Sequence, residues 1–221
     1  RNDVLQDLGM RNAVVHVGLL DRPEIQFATY PLPVVEKQSF LEICHDAWEQ
    51  LTLFAPDWAL TGRKIVYVNS AKMAMRLADY LDSRGVASRA FCMKRMSPQE
   101  RRDNLHQWDA STAEDSPVMV ATKAFGLGID RPDVSLVVQL CLADDVAEWW
   151  QMSGRAARAE GKRGLSITFL HPRFMLEHMR IKNPTKESDV SSMIELVKFL
   201  STPGCLRRKA LTILGGAVDI N

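Results

Sequence analysis

The chain has 221 residues, 46% of them hydrophobic and 25% charged, with a formal net charge of +1. That size buries one good core with a small appendage, and so slight a charge provides no overall field to draw in nucleic acid, so any such contact must be local. No apolar run approaches the roughly 18 residues that span a bilayer, and Arg1-Asn2-Asp3 begins neither with Met nor with a secretory apolar stretch, so the sequence reads as a non-membrane piece of something longer. Cys44, Cys92, Cys141 and Cys205 are widely separated, and three of them lie in apolar stretches, the pattern of reduced, buried thiols rather than a disulfide framework.

Short β-rich runs alternate with longer amphipathic ones, which predicts an α/β domain with a mainly parallel sheet. In chain order, strands are expected at 13–17 and 25–30, a helix over 36–54 and a strand at 64–68. A helix over 70–84 follows, with Met73, Leu77, Tyr80 and Leu81 on one face and Gly85 as its stop. After a strand at 88–92, Ser97-Pro98-Gln99-Glu100 forms a capping box with proline at the first helical position, so a helix should run to about Trp108. A polar loop at 109–117 leads to strands at 118–121 and 134–140, a helix over 144–158 and a strand at 165–170. Beyond it only helices are expected, at 172–181, 190–200 and 204–214. These patterns divide the chain into the end of a neighbouring unit (1–20), a sheet domain (21–181) and a helical appendage (182–221).

The segment most informative about chemistry is Val118-Met119-Val120-Ala121-Thr122-Lys123-Ala124-Phe125-Gly126-Leu127-Gly128-Ile129-Asp130-Arg131-Pro132-Asp133-Val134. Glycines at 126 and 128 allow backbone amides to approach a bulky anion, and Asp130 offers acceptors to ribose hydroxyls at a strand's carboxyl end. Without a third glycine and a following helix, the run is no dinucleotide fingerprint, and alone it would be a tight turn. Gln151-Met152-Ser153-Gly154-Arg155-Ala156-Ala157-Arg158 follows at a helix end. Arginines three apart on a helix share a face, and the guanidinium suits bidentate contact with phosphate. Either segment alone has a bland reading as a turn or a solvated helix end; together they make a site.

These two segments resemble motifs V and VI of the C-terminal RecA-like lobe of superfamily 2 helicases, and among those the RecQ DNA helicases. Lys64-Ile65-Val66-Tyr67-Val68-Asn69-Ser70 is similar to the motif IV region, and Asp21-Arg22-Pro23-Glu24-Ile25-Gln26-Phe27 to the stretch by which RecQ proteins leave the first lobe. The resemblance covers nearly the whole chain. It implies that Arg158 is an arginine finger reaching the γ-phosphate of ATP, with Arg155 and Gln151 supporting it. It implies also that Asp130 and Gly128 shape the nucleotide side, and that Thr122 and Ser70 touch the phosphate backbone of the tracking strand. Two departures stand out. Cys92-Met93-Lys94-Arg95-Met96 replaces the family's usual His-x-Gly turn, and Ala157 stands where motif VI usually has glycine, a change that a helix would tolerate.

Gly204-Cys205-Leu206-Arg207-Arg208 resembles the start of the RecQ zinc subdomain. Structural zinc takes four ligands, and no further cysteine follows Cys205, so zinc is expected only in a longer parent. His171, His178, Cys44-His45 and Asp144-Asp145 read as structural. Trp149-Trp150 could stack on bases, but adjacent helix positions diverge, so at least one belongs in the core. The resemblance makes the chain the second motor lobe of a 3′–5′ DNA helicase that shares ATP and Mg2+ with a first RecA-like lobe and binds single-stranded and duplex DNA. Nuclear residence and roles in repair and recombination follow from the family alone. An RNA helicase lobe and a degenerate binding module are the alternatives. The sequence has no Gly-x-x-x-x-Gly-Lys-Ser/Thr phosphate loop, so this chain alone is expected to be inactive.

Overall fold

Strands that are apolar on both faces must be covered on both, which forces helices onto either side of the sheet. The structure, a computed structural model, describes residues 20–112, 115–126, 131–183 and 187–215. The strand expected at 13–17 lies outside these residues, as do Gly128 and Asp130. Among the described residues the strands are β1 (Ile25–Pro31), β2 (Arg63–Tyr67), β3 (Ser88–Phe91), β4 (Val118–Ala121), β5 (Val134–Gln139) and β6 (Gly164–Leu170). They form one sheet in the order β1-β6-β5-β2-β4-β3, parallel at every pairing. Every residue of β2, β4 and β5 is buried. Tyr67 is in register with both Ala121 and Gln139, so these three central strands end at one level and their outgoing loops meet there.

The helices are α1 (Phe40–Phe54), α2 (Asp57–Leu60), α3 (Ala71–Ser83), α4 (Pro98–Ala110), α5 (Val146–Ser153), α6 (Pro172–Lys182), α7 (Glu187–Ser201) and α8 (Leu206–Leu214). Successive strand residues point to opposite faces: Val66, Val120 and Val138 pack with Ala47 and Leu51 of α1 and Leu77 and Leu81 of α3. Ile65, Met119 and Val137 join the other cluster, with Trp149 of α5, Phe199 of α7 and Leu211 of α8.

Local chemistry sets most of the boundaries. The helix expected from residue 36 starts at Phe40 because Ser39 and Glu42 close a capping box. Ser97 and Glu100 close another at the start of α4. Gly85, at φ 84°, ends α3, with Val86 N–H returning to Leu81 O.

The expected polar loop at 109–117 is tied down from within by Arg63, which is 3% exposed. Its Nε donates to Asp133 Oδ2 at 2.7 Å, its Nη1 to Trp108 O and Ser116 Oγ, and its Nη2 to Asp109 O and Ser111 O. One guanidinium thereby joins the end of α4 to the starts of β2 and β5. Burial pushes the Asp133 carboxyl up, but hydrogen bonds and charge from Arg63 and Arg131 outweigh it and hold the group below its ordinary value. A depressed carboxylate stabilises the fold above its unfolded-state value, and that contribution is lost as pH falls through the folded-state one. Arg63→Met is expected to cost about 3–5 kcal/mol in urea unfolding, because it removes the shorter of Asp133's two arginine contacts and leaves several carbonyls without a donor. Its stability should also fall less steeply than that of the unaltered protein as pH drops below about 4; identical acid slopes would contradict the pairing.

Candidate functional site

The loop leaving β4 turns sharply. Thr122, half-buried, accepts at its carbonyl from Phe125 N–H at 2.9 Å, opening a short 3-10 turn at Lys123–Gly126. Phe125 is 1% exposed and packs against Phe91 and Trp108, which anchors the turn. Lys123 Nζ lies 2.8 Å from Asp144 Oδ1 and 2.8 Å from Glu148 Oε2. Asp144 in turn takes Lys182 of α6 and lies 3.4 Å from His178 Nε2. Burial lowers the proton affinity of Lys123, but Asp144 and Glu148 more than compensate, so its pKa is raised. Burial raises the Asp144 carboxyl, and Lys123 and Lys182 bring it below its usual value. Burial dominates at His178 and lowers it, with Asp144 opposing. Asp144 and His178 thus belong to one ion-pair network with Lys123, Glu148 and Lys182.

Helix α5 carries the second segment. Asp145 caps it by accepting Glu148 N–H at 2.8 Å. Trp149 and Trp150 are both buried, with Trp149 Nε1 donating to Thr168 Oγ1 and Trp150 stacked on Phe27, so this pair is core and offers no stacking face to bases. The last turn is seated by Ser153 Oγ, which receives hydrogen bonds of 2.9 Å from Gln139 Nε2 and Ser166 Oγ.

The helix expected over 144–158 stops at Ser153. Gly154 N–H closes it on Trp150 O, and the chain then folds back beside β5, with Ala157 N–H on Val134 O and Ala159 N–H on Pro132 O. Arg155 and Arg158 thus lie on the turn after the helix and not on one helical face. Ala157 has φ 51°, in the left-handed region, so the expectation that alanine is accommodated there by a helix is corrected: the backbone adopts a glycine-like conformation, at a cost of roughly 1–2 kcal/mol for an L-residue. Gly164 allows the turn to lie flat on the sheet, since a Cβ there would sit 2.6 Å from Ala156 Cβ and 3.0 Å from Ala157 Cβ.

Gln151 and Arg155 line a cavity of about 260 Å3 together with Tyr67, Lys123, Ala124, Glu148 and Met152, at the carboxyl ends of β2 and β4. Arg158 is exposed, its Nε 3.5 Å from Gly154 O. Burial drives the Tyr67 phenol up, while the charges of Arg155 and Arg158 pull it down. Tyr67 Oη is buried without a hydrogen-bond partner among the described residues. Thr122 adjoins the cavity through Lys123. Ser70 does not line it: it is the N-cap of α3, accepting Met73 N–H at 3.3 Å. Lys123 and Tyr67 fell within segments singled out above, yet no feature of spacing marked either of them.

Cys205 is an exposed free thiol at the start of α8. Among the described residues it belongs to no group of three His, Cys, Asp or Glu side chains fit to hold a metal; His45, Asp46 and Glu49 on α1 form such a group. The described residues therefore do not fit a zinc site at Cys205.

A parallel sheet with helices on both faces, and with an arginine in a cavity at the carboxyl ends of β2 and β4, defines an α/β lobe of the RecA-like kind. Residues 47–160, just over half of the chain, match the helicase conserved C-terminal domain family, and the chain belongs to that family. It is 26% identical over 230 residues to the ATP-dependent DNA helicase RecQ of Haemophilus influenzae, covering 97% of this chain and 33% of that protein. The ATP-dependent DNA helicase Q5 of Rattus norvegicus is 30% identical over 177 residues, 74% of this chain and 18% of that one. A pre-mRNA-splicing ATP-dependent RNA helicase, PRP28 of Cryptococcus neoformans, is 37% identical over 106 residues, 48% of this chain and 14% of that one. The chain is a helicase C-terminal lobe close to RecQ, and it spans about a third of the length of the bacterial RecQ relatives it matches. No helix among the described residues is long and apolar enough to cross a membrane.

If Ala157 is strained, Ala157→Gly should leave the melting temperature unchanged or raise it, because relief of roughly 1–2 kcal/mol offsets about 0.4–1 kcal/mol of added chain entropy. Gly164→Ala should lower stability by about 1–3 kcal/mol through overpacking. A clear drop for the first variant in thermal unfolding would remove the strain.

Proposed function

We propose that this chain is the second motor lobe of an ATP-dependent DNA helicase of RecQ type, unwinding with 3′–5′ polarity. The observation that carries the reading is the placement of Arg155 and Gln151 in a cavity at the carboxyl ends of β2 and β4, where open parallel sheets bind ligands. Arg158 stands next to it on a short turn that the sheet supports. The chemistry fits a phosphoryl group: guanidinium donors match phosphate oxygens in pairs, and their charge stabilises the transferring group most as its negative charge spreads. Bound between the two lobes, ATP with Mg2+ supplies the transferable phosphoryl group. Arg158 then acts as the finger, Arg155 and Gln151 hold the cluster, and Asp130 and Gly128 shape the ribose side.

Lys123 leaves this role to the arginines, because Asp144 and Glu148 already neutralise it. Thr122 and Ser70 form part of the grip on single-stranded DNA. A hydroxyl that accepts from a helix amide, as Ser70 does, keeps its own proton to donate to a phosphate. Closure of the lobes on nucleotide and their release after hydrolysis convert the grip into steps along the strand.

DNA as the track is favoured by relatives named as DNA helicases that align over nearly the whole chain, whereas the RNA helicase match covers 48% of it. Degeneration into a mere binding module is disfavoured by the presence of both Arg155 and Arg158, although Ala157 and the replaced His-x-Gly turn weigh slightly the other way. The test is ATP hydrolysis by these residues joined to their ATP-binding first lobe, with and without single-stranded DNA. Arg158→Ala is expected to lower DNA-stimulated turnover on the order of 10³-fold while DNA affinity barely changes. Near-normal turnover in that variant would remove the finger role, and no hydrolysis by a folded, complete pair would favour a binding module. Stimulation by RNA but not by DNA would move the lobe to RNA helicases. The 221-residue chain alone is expected to hydrolyse no ATP.

A further inference from the structure

Residues 21–24 precede β1 and take no part in the site described above, yet they touch it. Arg22, partly buried, donates from Nη1 to Gly154 O at 3.0 Å and from Nη2 to Ala156 O and Ala157 O, both at 2.9 Å. Three carbonyls in a run of four residues are thus held by one guanidinium, and that run lies between α5 and Arg158 and contains Arg155. The carbonyls at the end of a helix have no partner within it and carry the negative end of its dipole, so a cation is favoured there. A Cβ at position 154 would be tight only against Trp150 O, at 3.2 Å, and in ordinary contact with Arg22 Nη1, at 3.5 Å.

Two further observations give the contact a direction. Gly154 O also receives Arg158 Nε at 3.5 Å, so the carbonyl that Arg22 fixes helps to set where Arg158 leaves the backbone. Burial disfavours the charge on Arg22, Glu24 favours it and Arg158 again disfavours it, so two like charges are held close, a cost that the carbonyl contacts offset. On its other side, the segment containing Arg22 is gripped by α8. Arg207 Nη2 donates to Pro23 O at 2.9 Å and to Ile25 O at 2.6 Å, and Arg207 Nε lies 3.6 Å from Asp21 Oδ1.

We infer that Arg22 is a positioning residue for the turn that carries Arg155 and Arg158, so that the segment entering the lobe and the arginines move as one unit. The role rests on the reading of those arginines as nucleotide-facing. A guanidinium is needed because its planar fork fixes the relative positions of three acceptors, whereas the ammonium of a lysine is a point donor on a flexible stem. Movement of whatever precedes Asp21 would then reach the arginines directly through the backbone of residues 154–157.

Two measurements on Arg22→Gln and the milder Arg22→Lys test this. In the 221-residue chain, amide hydrogen exchange at Ala157 and Ala159 is expected to speed up by about tenfold or more, the loss of one or two hydrogen bonds to a charged group, while amides of β2 and β5 keep their protection. Unchanged exchange in the turn overturns the clamp, whether or not the protein is a motor. In the chain joined to its ATP-binding lobe, kcat for DNA-stimulated hydrolysis should fall by about 10- to 100-fold with KM for ATP little altered, the mark of a contact made in the transition state. Arg22→Gln should add little to Arg158→Ala, because the two act through one group. Full kcat in Arg22→Gln, alongside an inactive Arg158→Ala, would reduce Arg22 to a structural residue and leave the motor reading standing. If the unaltered protein hydrolyses nothing, the motor reading and this role fall together, while the exchange result still decides whether the clamp exists.

Discussion

Ser153 has no access to solvent, so its hydroxyl must be satisfied inside the fold or cost the desolvation of a polar group. Gln139 at the end of β5 and Ser166 in β6 satisfy it, which seats the last turn of α5 over two adjacent strands. From that contact the rest of the site follows. Gly154 N–H closes the helix on Trp150 O, and the chain continues beside the start of β5, with Arg155 lining the cavity and Arg158 exposed on the turn. The two tryptophans of α5 reinforce the same seat from the apolar side, packed on Phe27 and Phe199.

A net charge near zero hides how unevenly the basic side chains are used. Arg22, Arg63, Lys64, Arg207 and Lys209 all direct donors at backbone carbonyls; the three arginines join parts of the chain that are distant in sequence, and the two lysines tie down nearby turns. Lys123 is held by two carboxylates. These cations act as internal ties, and each occupies a position where several carbonyls converge at a helix end or a strand start. Arg155 and Arg158 differ in place: Arg155 lines the cavity beside Tyr67 and Lys123, and Arg158 is exposed on the turn that follows α5.

Arg95 and Ala157 are two non-glycine loop positions with left-handed backbone. Arg95, in the loop that replaces the usual His-x-Gly turn, has φ 72°, and Ala157 has φ 51°. Both are conformations that glycine adopts freely. They persist because their surroundings over-determine them. Arg101 Nη1 braces the first turn through Met93 O and Met96 O, and the second is fixed by hydrogen bonds at both Ala157 N–H and Ala157 O.

What the sequence determined by itself was local or repetitive. Alternation of apolar runs set the six described strands to within a residue or so, the Ser97 capping box set one helix start, and the segments around Thr122 and Arg155 stood out as candidates for a site. The end of α5 was not legible, because Gly154-Arg155-Ala156-Ala157-Arg158 contains good helix formers, and only the buried partners of Ser153 and the close approach of Gly164 stop the helix there. Trp149 and Trp150 had two readings until the sheet and α7 covered them. Nothing in the sequence marked the partners of Arg22 and Arg63, since most of their acceptors are carbonyls more than 40 residues away and carbonyls carry no sequence signature. Periodicity and caps depend on neighbours along the chain and so can be read from it; helix length, burial and the partners of an arginine depend on neighbours in space, which only the tertiary structure brings together.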